Sequence, residues 1–246
     1  MFLGGVEKLL QLTDDAFPEL GLQQKDCIEM SWIESTVYFA GLPHGTPIEA
    51  LLDRTSQPKI SFKAKSDYVT KPISVAGLEG LWQRLLEEDN PEIMASPYGG
   101  RMSEISEREI AFPHRAGNIY LINYMASWQQ RGGEESEMHL NWIRRLYDYM
   151  GPHVSNSPRT AYFNFKDLDL GQNKNANTTY LEAKSWGEKY FKSNFETLVY
   201  VKNKVDPDDF FYNEQSIPSF LAIPCEEKRG EDCMVCHAEM STNFLP

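Results

Sequence analysis

The segment from Ser74 to Glu88 places Leu78, Leu81, Trp82, Leu85 and Leu86 at i, i+3, i+4, i+7 and i+8, one apolar stripe along one face of a helix. A helix apolar on one face needs a surface to lie on. Ser74 stands where an N-cap is wanted. A second pattern of this kind runs from about Glu134 to Met150, with Trp142, Ile143, Leu146, Tyr147 and Met150 on one face and Gly151-Pro152 as its stop. Shorter helical patterns fall at Val6–Leu12, Thr179–Phe191 and Phe195–Lys204, the last broken by Asp206-Pro207. Strands supply the surface. Ile60 to Val69 alternates Ile60, Phe62 and Ala64 with Lys63 and Lys65, and Ile119–Trp128 and Thr160–Lys166 are aromatic-rich runs bounded by Gly, Pro and Asn. Hairpin signals are few, and strands do not alternate regularly with helices. The pattern predicts an α+β fold, an antiparallel sheet covered by helices, rather than a doubly wound sheet.

Composition removes several classes. Sixteen Gly and fourteen Pro in 246 residues are ordinary usage, so collagen-like and disordered chains are excluded. No repeat is visible, which excludes solenoids and propellers. No stretch approaches the roughly 18 apolar residues of a membrane span, so no membrane partner is expected. Against 36 acidic residues stand 24 basic ones, a net charge of −12 with no Lys/Arg run longer than two, which argues against nucleic acid. The opening residues lack a basic region and a long apolar stretch, so they do not read as a signal peptide. Cys27 stands alone while Cys225, Cys233 and Cys236 fall near the end, so disulfides cannot staple the body.

Candidate chemistry is sparse by motif. Cys233-Met234-Val235-Cys236-His237 has the haem-attachment spacing, but a polar chain end offers no apolar pocket and the haem reading is rejected. Zinc held by Cys225, Cys233, Cys236 and His237 is chemically feasible, but the spacing is not that of closed sites and no metal is assigned. No H-E-x-x-H, G-x-S-x-G or G-x-G-x-x-G occurs. His114, in Phe112-Pro113-His114-Arg115, reads as a structural hydrogen-bond partner before a strand. In Tyr120-Leu121-Ile122-Asn123-Tyr124 the alternation puts Tyr120, Ile122 and Tyr124 on one face and Leu121 and Asn123 on the other. Tyr162 and Asn164 likewise pair against Phe163 and Phe165. Such strands line a polar-aromatic pocket for a planar ligand, or serve ordinary sheet packing; pattern alone leaves both open.

Ordered segments carry a further reading. They are Phe2-Leu3-Gly4-Gly5-Val6, Phe17-Pro18-Glu19-Leu20-Gly21, Met30 to Ser35, Phe62 to Val69, Pro97 to Met102, Phe112 to Asn118, Ala161 to Gly171, and Val205-Asp206-Pro207 through Asn213-Glu214-Gln215-Ser216-Ile217-Pro218. In these the chain resembles the C-terminal half of plant berberine-bridge-enzyme-like FAD-linked oxidases. The resemblance implies the substrate domain of the vanillyl-alcohol-oxidase-type flavoprotein fold over residues 1–175. It also implies a C-terminal segment over 176–220 that returns to an FAD domain, followed by an unstructured tail over 221–246. It implies FAD as cofactor, linked covalently in the family to a His and a Cys that have no counterpart here, and oxidation of an alcohol, sugar or alkaloid-type substrate with O2 as acceptor. The missing N-terminal FAD domain is thus an expected partner.

By the same resemblance, Tyr162, Asn123 and Phe165 occupy catalytic positions, Asn164, Asn213 and Gln215 cofactor positions, and Leu3, Ser96, Tyr98 and Leu121 the substrate pocket. Departures from the family matter. Where the family strand reads Tyr-Lys-Ile-Gln-Tyr, this chain has Leu121 for Lys and Asn123 for Gln. Phe165 stands at the base position and cannot accept a proton. Lys166 replaces a bidentate Arg. The expectation is an N-terminally truncated part of the oxidase, inactive alone; the alternative is a non-catalytic module binding a glycan or phenolic ligand. Family resemblance also implies secretion or the cell wall, where the Asn177-Thr178-Thr179 sequon would be usable.

Overall fold

The computed structural model describes residues 2–54, 60–129, 132–174 and 178–219. The Cys225/Cys233/Cys236/His237 cluster lies outside the described residues. Two compact units divide between Lys59 and Ile60.

The first unit holds helices α1 (Val6–Ala16) and α2 (Trp32–Phe39) with short 3-10 turns. The start of α2 is fixed by a reciprocal cap: Glu34 N–H donates to Ser31 Oγ at 3.4 Å, and Ser31 N–H donates to Glu34 Oε2 at 2.7 Å. Two of the helix's orphan donors are satisfied in this way.

Among the described residues, the second unit is built on three strands: β1 (Ser61–Val69), β2 (Pro91–Pro97) and β3 (Tyr120–Trp128). They form an antiparallel sheet in the order β1-β3-β2, with Asp67 opposite Ile122, and Ala95 opposite Ile122 from the other side. Its helices are α3 (Val75–Leu85), the single turn α4 (Arg101–Glu104), α5 (Gly133–Met150), α6 (Tyr180–Phe191) and α7 (Asn194–Val205). Ser74 Oγ accepts from Gly77 N–H at the head of α3, as its sequence position predicts. At the head of α6, Thr179 and Glu182 form a second reciprocal cap.

One face of the sheet carries the main core. Val69, Ile122, Tyr124, Ala126 and Trp128 pack with Trp142, Ile143, Leu146 and Met150 of α5 and Leu81 of α3. Each buried large side chain contributes about 1.5–3 kcal/mol relative to exposure. A second cluster unites α6 and α7 through Ala183, Trp186, Tyr190, Phe191, Phe195 and Val199. Gly187 permits that contact, because a Cβ there would stand 2.4 Å from the Phe195 ring.

Two sequence expectations are corrected. Thr160–Lys166 is not a strand. Its backbone donors go elsewhere: Thr160 N–H to Ser155 Oγ, Ala161 N–H to the Lys189 carbonyl, Tyr162 N–H to Ser66 Oγ, and Phe165 N–H to the Tyr162 carbonyl in a turn. With those donors used, aromatic composition does not make a ladder. Conversely, β2 is a strand that its sequence conceals. Proline at both ends speaks against a central strand, and β2 is paired on one side alone in this sheet, the place where proline is tolerated.

Candidate active site

Side chains directly opposite in an antiparallel ladder share a face. Across from the helix-covered core, the other face therefore carries Ser66 and Tyr68 of β1, Leu121 and Asn123 of β3, and Met94 and Ser96 of β2. Asn123 stands opposite Ser66 and Met94, and Leu121 opposite Tyr68 and Ser96. Tyr98, just past β2, is held by its N–H to the Ile119 carbonyl at 2.8 Å, and its hydroxyl lies 3.4 Å from that of Tyr68. Burial pushes both phenols up from their ordinary value. Four of the predicted residues, Asn123, Leu121, Ser96 and Tyr98, thus meet on and beside this face.

The 161–171 loop reaches the same face through Ser66. Ser66 Oγ accepts from Tyr162 N–H at 2.8 Å, and the turn that follows sets the Phe165 ring 5.5 Å from that of Tyr162. Asn164 Nδ2 donates to Tyr162 Oη at 2.7 Å. The three residues that were expected to alternate along a strand are instead gathered by a turn.

A charge network fixes this loop. Lys63 and Lys65, on the helix side of β1, each approach Asp167 at 2.6 Å, and Lys65 lies 2.9 Å from Asp169. Arg144 of α5 grips Asp169 with two bonds of 3.1 and 3.0 Å. Burial raises Asp169, but the bonds from Arg144 and Lys65 outweigh it and hold the carboxyl well below its usual range. Gln215 closes the loop from behind. Its Nε2 donates to the Asp167 and Gly171 carbonyls at 3.0 and 2.7 Å, so both amide hydrogens are used inside the protein. Asn213, exposed, accepts from Lys166 Nζ at 2.8 Å. Leu3 belongs to the first unit, where it is exposed.

Residues that sequence reasoning passed over as site members are Tyr68 and Phe112, with His114 between them. His114 is 1% exposed, stacks flat on Tyr68 at 3.9 Å, and bonds the Tyr190 carbonyl through Nε2 at 2.9 Å. It is the structural hydrogen-bond partner that its sequence position suggests. The sequence marks Phe62 to Val69 and Phe112 to Asn118 only as segments; which of their side chains meet depends on tertiary contacts.

Similarity to known proteins bears directly on this arrangement. The family model for berberine and berberine-like proteins matches residues 161–218, the segment that holds the loop, α6, α7 and Asn213–Gln215. A tetrahydroberberine oxidase from Berberis wilsoniae is 56% identical over 224 residues, spanning 89% of this chain. The chain belongs to the berberine-bridge-enzyme-like family. A monolignol oxidoreductase from Arabidopsis thaliana is 52% identical over 220 residues, again 89% of this chain. The solved structure of berberine-bridge-enzyme-like protein 28 from Arabidopsis thaliana superposes with a TM-score of 0.79 at 48% identity, over 89% of this chain and 46% of its own. The family is one of plant FAD-linked oxidoreductases, and the antiparallel sheet with its helices is their vanillyl-alcohol-oxidase-type architecture. The chain spans 42% and 40% of the two curated relatives' lengths and corresponds to their C-terminal part.

The residues present fit a polar heterocycle. Asn123 is 5% exposed, and both its side-chain nitrogen and oxygen are buried without a hydrogen-bond partner. An unpaired buried amide costs about 1–3 kcal/mol. A donor–acceptor edge such as that of an isoalloxazine would relieve it.

Proposed function

We propose that this chain supplies the substrate side of an FAD-dependent oxidase. The reaction is oxidation of an alcohol, sugar or alkaloid-type substrate with O2 as acceptor. The half that attaches FAD comes from sequence outside these 246 residues. The observation that carries the reading is the unpartnered Asn123 amide, opposite Ser66 and Met94 on a sheet face that also carries Tyr68 and Ser96 and receives Tyr162 through Ser66. FAD, when bound, supplies the hydride acceptor for this chemistry.

The chain's own residues bind and orient. Asn164 Nδ2 donates into Tyr162 Oη and so leaves the phenolic hydrogen free to be directed at a substrate oxygen. Asn123 offers one donor and one acceptor to a polar edge above the sheet. Leu121 and Phe165 contribute apolar surface where the family carries groups able to exchange a proton. Asn164 and Asn213, both exposed, are the amides proposed to reach the cofactor, while Gln215 acts by holding the loop. Val205 at the end of α7 and Phe210 and Phe211 in the segment after it, each at least 75% exposed, are the apolar surface proposed to meet the FAD-binding half. Ser96, Tyr98 and Leu121 are the proposed substrate contacts on this sheet face.

The test has two arms. The 246-residue chain mixed with FAD is expected to show no turnover of glucose, coniferyl alcohol or a tetrahydroprotoberberine alkaloid. Joined to a family FAD-binding half, it is expected to yield a yellow protein whose flavin is bleached by one of them. Turnover by the isolated chain, or a flavin that no substrate reduces, overturns the reading. The second outcome would favour a non-catalytic binding module, the alternative suggested by Phe165 and Leu121.

A further inference from the structure

Tyr98 and Tyr162 reach the candidate site from different parts of the chain, and one aromatic chain joins them. The Tyr98 ring meets Tyr68 edge-on at 5.5 Å, and Tyr68 stacks on His114 with an interplanar angle of 15°. Phe112 meets His114 edge-on at 5.3 Å and Tyr162 edge-on at 6.0 Å. His114 is the middle link. Its orientation is fixed from outside the chain by the Tyr190 carbonyl of α6. That same helix anchors both ends of the 161–167 stretch, since the Lys189 carbonyl accepts from Ala161 N–H and Tyr190 Oη accepts from Asp167 N–H.

We infer that His114 is a positioning residue of the candidate site: its ring sets Tyr68 and Tyr98 on one side, and its bond to the Tyr190 carbonyl ties that ring to the segment carrying Tyr162. The inference rests on reading this sheet face as the site. A carbonyl can only accept, so Nε2 carries the hydrogen and Nδ1 is left as a bare acceptor. Nδ1 is buried without a hydrogen-bond partner, so a second proton there would place a charge out of reach of water. The positive charges of Lys192 and Arg115 oppose that proton as well. Burial, the largest influence, pushes His114 down to about 3 with smaller help from Lys192 and Arg115, against the opposing pull of the backbone at Tyr190 and Ala161. The face of a neutral imidazole is thereby available for flat stacking on a phenol ring.

The experiment uses the full chain with ring-labelled tyrosine, the Tyr98 and Tyr162 signals being assigned with Tyr98→Phe and Tyr162→Phe. His114→Gln keeps an amide donor for the Tyr190 carbonyl but removes the ring. Both tyrosine signals are expected to shift by more than a linewidth in His114→Gln. Neither is expected to move in Val37→Ala, which removes buried apolar volume from α2 of the first unit instead. Either signal staying in place in His114→Gln overturns the inference. If that variant does not fold, the nitrogen spectrum of the unaltered chain decides: an Nε2–H tautomer unchanged between pH 5 and 7 supports it, and an Nδ1–H tautomer or an imidazolium overturns it. Neither measurement uses flavin or substrate, so failure here is distinguishable from failure of the oxidase reading.

Discussion

Removing Arg159 isolates the energetics of the most buried carboxylate in the sheet. Asp67 is 0% exposed, and Arg159 holds it with two bonds of 2.7 Å. Even so, burial outweighs the guanidinium and pushes Asp67 up to about 6. Its folded value lies above the unfolded one, near 3.9, so the folded state holds the proton more tightly. The stability it contributes is therefore full below about pH 4 and is lost as pH rises through 6. A displacement of about two pKa units corresponds to about 3 kcal/mol. Arg159→Met leaves Asp67 with no counter-charge from that side and raises its value further, so the loss continues through neutral pH.

At pH 5, where Asp67 is mostly protonated in both proteins, the substitution removes chiefly the bond to the Tyr147 carbonyl and the packing over the Tyr147 ring, about 1 kcal/mol. At pH 8 it strands a buried carboxylate, for which the cost is about 3–5 kcal/mol. Urea unfolding followed by tryptophan fluorescence at the two pH values measures both. A cost that is the same at pH 5 and pH 8, or below about 1 kcal/mol at pH 8, refutes the reasoning.

Three further outcomes follow from the geometry. Asn123→Leu replaces an unpartnered amide by an apolar group of similar shape, so urea unfolding of the isolated chain should show no loss and a gain of up to about 1 kcal/mol, while turnover in the chain joined to an FAD-binding half falls. Gly187→Ala drives a methyl into the Phe195 ring and should lose about 1–3 kcal/mol, read as a lower unfolding midpoint. Phe165→Tyr in the joined protein should raise the rate of flavin reduction in stopped flow, and an unchanged rate would count against a base position there.

How much of this was legible in the chain follows from where each interaction closes. Helices α3, α5, α6 and α7 announce themselves because their signals are local: Ser74 meets Gly77 and Thr179 meets Glu182, three residues on. The two faces of β3 are equally local, since alternation alone separates Ile122 and Tyr124 from Leu121 and Asn123. The 160–166 segment misleads because its backbone partners, Ser66 and Lys189, lie elsewhere in the sequence. β2 is concealed because pairing with β3 overrides two prolines. At the site, family resemblance directs attention to Tyr162, Phe165 and Asn123, but the roles of Tyr68 and Phe112 depend on His114, whose partner is 76 residues away. A contact at that separation leaves no periodicity to read.

The central claim is that this sheet face is the substrate side of a flavin oxidase. It is tested most directly by the visible spectrum and intact mass of the native protein that carries this sequence in its source tissue. The account predicts a yellow species much heavier than 28.3 kDa whose flavin absorption bleaches with substrate. A colourless species near 28.3 kDa would contradict it.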